Sequence, residues 1–456
     1  MGEHMKIHKS RHLTIATPSV AARLDAIPLN RLHLFVLVIS GFGLAIDVYE
    51  IGLGSAFGAI FSGAPYSASA QSLSWLLSSV YIGAVLGASV GGWLAYRMGR
   101  RMVLTGMLWL LAATAALAGA SVSIEWLTLA RTIMGLTLGA FPPLLTAYLA
   151  DLLPARSRGK LIFVTMAIAF VGAPAGVFFI RTMTPLEVLN LSGWRWSLLV
   201  GALGAVIAAL AFRRLPESPR WLSAVGREQE AEIALQRFER SRPASWADSS
   251  KTPPSPAPEP NEAADPAEST RLRFAKYAGL CFLSPWSTAA FPLLIGAMLV
   301  QKGFKLSDTL FYVGLSAFGP IIGTLLAAFA IDRFDRRLTL AGCAAVMLVS
   351  GVAFEFTNQP AWLLAATASF FLCSAVYLPM LNIYGTELFD TRLRASAVAG
   401  AWAFNRLGAA VAPLLLIPIL DRGGTLPVMA VIWCSLVTGI LLVAVSAPGR
   451  NRLSVG

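Results

Sequence analysis

Charge is scarce in this chain. Only 13% of its 456 residues are Asp, Glu, Lys or Arg, about half of what a water-soluble surface of this size needs. That scarcity excludes a soluble enzyme and a nucleic-acid protein. Histidine and cysteine are rarer still, four of each. His4, His8, His12 and His33 precede or open the first apolar run. Cys281, Cys343, Cys373 and Cys434 lie inside apolar runs without CxxC spacing and read as packing residues, not a disulfide frame or metal site. No HExxH, Walker loop or nucleophile–base signature occurs. ATP-driven transport, zinc chemistry and a cofactor enzyme have no residues to carry them.

What the chain has in abundance is apolar: 56% hydrophobic residues and a mean hydropathy of +0.67. About 20 apolar residues cross the hydrocarbon of a bilayer, and twelve runs reach that length, from 33–60 to 426–447. The first is too long for a cleaved signal peptide and is expected to be a permanent span. The net charge of +12 sits in short tracts between the runs, where topology accounts for it better than nucleic acid does. Eleven Lys and Arg residues occupy the short loops on one side, against five on the other. The positive-inside rule therefore puts both ends in the cytoplasm.

After the sixth run comes an amphipathic charged stretch, 228–240, and then a tract over 242–270 rich in Pro, Ala, Ser and Glu. That tract cannot bury enough apolar surface to fold. The expected organisation is an all-α membrane protein of twelve transmembrane helices. It comprises a cytoplasmic segment (1–31), a six-helix half (32–214), a partly disordered cytoplasmic linker (215–272), a second six-helix half (273–447) and a cytoplasmic tail (448–456).

An internal repeat supports the two halves. Tyr96-Arg97-Met98-Gly99-Arg100-Arg101 returns as Asp332-Arg333-Phe334-Asp335-Arg336-Arg337, an offset of 236. Tyr148, Asp151, Arg156 and Arg158 return at the same offset as Tyr384, Glu387, Arg392 and Arg394, and Pro143 and Gly172 as Pro379 and Gly408. Parallel copies of this kind are a construction of alternating-access transporters. The repeated charges sit at the cytoplasmic helix ends. Acids there suggest a gating network of Arg97, Arg101, Asp151, Arg158, Glu217, Asp332, Arg333, Arg337, Glu387 and Arg394. The plainer alternative is that the arginines only enforce topology.

These motifs resemble those of the major facilitator superfamily. Gly91-Gly92-Trp93-Leu94-Ala95-Tyr96-Arg97-Met98-Gly99-Arg100-Arg101 is similar to its loop motif G-x-L-A-D-R-x-G-R-R, with Tyr96 in place of aspartate. Pro216-Glu217-Ser218-Pro219-Arg220-Trp221-Leu222 resembles the P-E-S-P-R-W-L of sugar porters. Asp47-Val48-Tyr49-Glu50 and Asn405-Arg406-Leu407-Gly408 resemble the D-G-[YF]-D and G-R-x-G motifs of the aromatic acid:proton symporters. The resemblance implies the twelve-helix major facilitator fold. The symporter motifs imply proton coupling and an aromatic or heteroaromatic carboxylate as substrate. Span five lacks a glutamine and span seven a Q-Q-x-S-G-like run, which counts against a sugar.

The unpaired polar residues are the candidates for transport. Asp47 and Glu50 lie deep in span one, three apart and so on one helical face, and their repeat positions hold Leu283 and Trp286. Carboxylates in hydrocarbon survive only beside a polar cavity or partner, so this pair is expected to handle the proton. A buried helix–helix salt bridge is the alternative. Arg406, whose fork suits a carboxylate, is the expected substrate residue. Arg131 is secondary support or an interfacial anchor. Tyr49, Tyr377, Tyr384, Trp286 and Trp402, with Asn405, complete the expected substrate site, since aromatic faces suit a flat organic molecule.

The leading expectation is a proton-coupled symporter of a small organic anion in a bacterial inner membrane, a monomer whose partners are substrate, protons and lipid. A proton-driven exporter and a transporter-like receptor are the alternatives.

Overall fold

The computed structural model describes residues 19–154, 157–241, 269–330, 335–389 and 391–446. Asp332, Arg333, the Pro-rich tract and the side chain of Arg394 lie outside the described residues. Twelve helices are long and apolar enough to cross a membrane. Spans one to six are Arg31–Ser62, Ala70–Met98, Arg100–Gly119, Ile124–Leu152, Arg158–Met183 and Gly193–Phe212. Spans seven to twelve are Thr270–Gln301, Leu306–Ala328, Arg336–Phe356, Pro360–Leu388, Ala397–Gly423 and Thr425–Ala444. Hydrocarbon offers the backbone no hydrogen bonds, so each crossing segment satisfies itself as a helix. Polar side chains cap the ends: Ser69, Ser123 and Ser269 each accept from a first-turn amide, and Asn30 forms a capping box with His33. Leu86, Leu203 and Val349 are each more than half exposed on the bundle's exterior, where lipid would cover them.

The two halves pack alike. Span one lies on five, two on four and three on six; span seven lies on eleven, eight on ten and nine on twelve. The repeated glycines mark the closest approaches. A Cβ on Gly172 would strike the carbonyl of Ala45, and one on Gly408 the carbonyl of Phe282. Spans two and four meet through Gly83, Gly87, Gly135 and Gly139, where small residues let backbones touch. Between halves, span one meets seven, two meets eleven and five meets eight. Twelve crossings return the chain to one face, here called the terminal face; the other is the distal face.

Three runs that read as single spans are broken. Span five divides into Arg158–Ala169 and Gly172–Met183, span seven into Thr270–Thr288 and Ala290–Gln301, and the chain of span eight into Leu306–Ser316 and Gly319–Ala330. In span seven two prolines are legible: Pro292 has no N–H and leaves the Thr288 carbonyl without its helical donor at the break, and Pro285 does the same to the Cys281 carbonyl earlier in the span.

Short helices dock at the terminal face. Val20–Ala26 packs on Pro219–Ala224 and Glu228–Arg240. Arg23 reaches Glu232 at 2.7 Å and Glu239 at 3.1 Å, and its guanidinium holds the Glu232 carboxyl below the usual range. Asp25 pairs with Arg220 at 2.6 Å and Arg158 at 3.2 Å. Phe238 packs on the ring of His33, 4.9 Å between centroids. The stretch after span six thus begins as docked helix.

Candidate functional site: a central cavity beside four charged side chains

A cavity of about 280 Å³ lies at mid-depth between the halves. Spans one, two, five, seven, eight, ten and eleven line it, mostly with apolar side chains such as Val48, Phe170 and Phe371. Its polar lining comes from Ser55, Tyr81, Thr288, Ser374, Asn405 and Arg406. On its distal side, Gly296 of span seven packs against the Ser55 carbonyl so closely that a Cβ would collide. The two halves are in contact along that seam.

Four charged side chains lie beside the cavity. Asp47 is 1% exposed, Glu50 0% and Arg131 2%, while Arg406 reaches into the cavity wall. Arg406 is the cation acting on Asp47, and Arg131 the cation acting on Glu50. The two acids share a helical face but have different partners. Among the described residues no carboxylate oxygen of either acid is hydrogen-bonded, and neither are Nε of Arg406 or Nε and Nη1 of Arg131. Arg131 is no interfacial anchor: it lies over the Phe57 ring, 4.9 Å from its centroid, inside the first half. Gly201 of span six leaves the room that the Glu50 carboxylate fills. The set is neutral as two acids and two bases, and water would lower the energy of every one of its members.

The structure does not bring the predicted aromatics to this cavity. Tyr49 turns toward spans five and six and donates to the Ser197 carbonyl at 2.9 Å. Tyr377 points its hydroxyl at Gly439 of span twelve, and Trp286 packs on Phe282 at 6.0 Å. Tyr384 and Trp402 belong to the core of the second half. The aromatic residues at the cavity are Phe170, Phe371 and Tyr81, and the polar one among them, Tyr81, is within electrostatic reach of both arginines. No charge flags it in the sequence. The available signal was its place two residues before Gly83, where span two meets span four.

Asn405 lines the cavity and also does structural work. Its Nδ2 donates to the Cys281 carbonyl at 3.2 Å and to Ser284 Oγ at 2.8 Å. It replaces the backbone donor that Pro285 lacks, tying span eleven to span seven ahead of its break.

At the terminal face the expected acids Asp151 and Glu387 are each ion-paired, but with the neighbours of the arginines expected. Arg100, not Arg97 or Arg101, pairs with Asp151, which also accepts from Ser218 at 2.8 Å. Arg336, not Arg337, pairs with Glu387 at 3.2 Å. Arg97 instead lies over Trp93 at 4.5 Å. Arg101 and Arg337 donate to carbonyls at the ends of the last spans, Leu215 and Val443, both at 3.1 Å. The phase of a helix decides this: one residue turns a side chain by roughly 100°. Glu217 accepts from the backbone amides of Arg100 and Arg101 at 3.1 and 3.0 Å, capping span three.

Comparison with known proteins fits this architecture. The model of the family described as sugar (and other) transporter matches residues 36–450. A putative metabolite transport protein of Bacillus subtilis, YyaJ, is 26% identical over 446 residues, covering 93% of this chain and 94% of the relative. The niacin transporter NiaP of Acinetobacter baylyi is 25% identical over 405 residues, 87% of this chain and 89% of the relative. The xylose transporter XylE of E. coli, solved in a partially occluded inward-open conformation, superposes with a TM-score of 0.71 at 18% identity, over 93% of this chain and 99% of that one. That likeness is of fold. A duplicated twelve-span bundle with a cavity between its halves, matched over nine-tenths of its length, is a transporter rather than an enzyme: the chain belongs to the sugar (and other) transporter family of the major facilitator superfamily.

Proposed function

We propose that the protein is a proton-coupled importer of a small organic anion, with an aromatic or heteroaromatic carboxylate as the substrate class. It works as a monomer by alternating access in a bacterial inner membrane, both termini cytoplasmic. One observation carries the reading: among the described residues Arg406 is the one charged side chain lining a mostly apolar cavity, and it has Asp47 as its charged neighbour.

The charge count supplies the coupling. Asp47, Glu50, Arg131 and Arg406 sum to zero when the cavity is empty. A substrate carboxylate adds one negative charge in a low-dielectric interior, where an uncompensated charge costs several kcal/mol. A proton on Asp47 restores neutrality and frees Arg406 for the carboxylate. Anion and proton therefore enter together. The apolar walls suit a flat ring better than a sugar, whose hydroxyls need many partners. The name of the niacin-transporting relative agrees with this class.

The test is uptake of nicotinate, benzoate and xylose into proteoliposomes with an imposed pH gradient. The two carboxylates should accumulate when the outside is acid. Arg406→Lys, which keeps the charge without the fork, should lose about 1–3 kcal/mol of affinity, and Arg406→Ala at least as much. Saturable xylose uptake without carboxylate uptake would falsify the anion reading.

A further inference from the structure

The proposed function leaves Glu50 unexplained. Its carboxylate lies behind span one, against Gly201 and facing Arg131, and it does not line the cavity. A substrate at Arg406 cannot touch it. Something must carry the state of the cavity to that second pair if both acids belong to one transport cycle.

Tyr81 is placed to do so. Spans two and four cross at their glycines: the Val80 carbonyl abuts Gly135, and Gly83 abuts the Thr132 carbonyl. That crossing sets Tyr81 beside the turn that bears Arg131. Span two also meets span eleven, which bears Arg406, and Tyr81 and Arg406 line the same cavity wall. The phenol lies within electrostatic reach of both guanidinium groups. Its repeat position is Ala317, on the cavity wall of the second half, so the hydroxyl is a departure of the first half alone. A phenol accepts from a cation through its oxygen and can turn to accept from another.

Resting on the anion–proton reading above, we propose that Tyr81 is the positioning residue that joins the substrate site to the buried Glu50–Arg131 pair. In the empty cavity its phenol shares the wall with Arg406. A substrate carboxylate takes that place and the hydroxyl turns to Arg131. Arg131 then holds Glu50 less closely, and a buried carboxylate that loses its cation takes up a proton. The proton comes from water in the open cavity and leaves to water on the opposite side. No other bond is made or broken. Occupancy of Arg406 thereby sets when Glu50 binds its proton.

The experiment compares Tyr81→Phe with the wild type in proteoliposomes, using nicotinate and benzoate as probes. Two rates are read for each probe: accumulation driven by an acid exterior, and counterflow without a pH gradient. The ratio of the first to the second isolates coupling from binding. Phenylalanine keeps the ring and its packing, and a thermal melt checks the fold. The ratio should fall by roughly tenfold, within the usual range for coupled sites, and the pH profile of uptake should flatten. Tyr81→Leu, lacking ring and hydroxyl, should lose the ratio equally. A parallel fall in both rates makes Tyr81 a plain substrate contact and overturns the proposal. An unchanged ratio, or a Leu variant that stays coupled, overturns it as well and leaves the anion–proton reading standing. Wild-type protein that shows no acid-driven uptake of either probe sinks that reading, and the proposal with it.

Discussion

At positions 236 residues apart, the first half carries Asp47, Glu50 and Arg131 where the second carries Leu283, Trp286 and Thr367. The Thr367 hydroxyl is tied to Ser316 at 2.5 Å, a neutral pair at the site equivalent to Arg131. The terminal faces tell the opposite story. Arg100–Asp151 and Arg336–Glu387 are the same ion pair twice over. Even the caps correspond: Asp335 caps span nine with its own carboxylate, whereas its counterpart Gly99 cannot, and Glu217 reaches in to cap span three. What the duplication repeats is scaffold; where the copies differ, the chemistry lies. The first half holds three of the four charges beside the cavity. The second contributes Arg406 and the broken helix of span seven.

The sharpest way to break this comparison is Asp47→Asn. With an amide at that position Arg406 is always free, so the anion binds without a proton at position 47. Wild-type protein should accumulate substrate at least about tenfold per unit of imposed pH difference, since each coupled proton is worth ~1.36 kcal/mol per unit. The variant should lose the tenfold share that Asp47 carries yet still exchange labelled for unlabelled substrate. Accumulation undiminished in the variant would return Asp47 to a structural salt bridge.

Next in size is the pair confined to the first half. Arg131→Ala leaves Glu50 buried without its cation. The expected cost is about 3 kcal/mol, the lower end for orphaning a buried charge, because no hydrogen bond joins the two. Adding Glu50→Gln should recover most of the loss in a thermal melt in mild detergent. Additive effects of the two substitutions would show that they do not interact.

Much of this arrangement was legible in the residues. Twelve runs became twelve spans, and the constant offset exposed the repeat, because hydrocarbon length and duplication both leave marks in one dimension. Azimuth leaves almost none in a helix that is apolar all round. Hence Tyr377 and Trp286 were expected at the cavity they turn away from, while Tyr81 went unmarked. The same blindness left Arg100 and Arg336, which pair with Asp151 and Glu387, out of the expected gating network. The helix breaks were hidden for another reason. Hydropathy averages over a window, and a break at Ala289 changes direction without changing polarity.

The smallest expected effect tests the second half's own contribution, the tie from Asn405 to span seven. Leucine has nearly the shape of asparagine but donates nothing. Asn405→Leu should strand the Cys281 carbonyl and Ser284, at about 1–3 kcal/mol for buried polar groups left without partners. Pro285→Ala restores a backbone N–H to position 285, and that amide can serve the Cys281 carbonyl directly. In the Pro285→Ala background, Asn405→Leu should therefore cost less, by roughly 0.5–1.5 kcal/mol for one neutral hydrogen bond. A double-mutant cycle of melting measurements reads this difference, provided each substitution keeps the fold. Counterflow gives a second reading. If the tie holds the bend in place, Pro285→Ala should slow exchange even where it raises stability, since a straighter span seven moves the cavity wall made by Thr288 and Leu293. Strict additivity in the melts would mean that Asn405 does not stand in for the missing donor, and the bend of span seven would then owe nothing to span eleven.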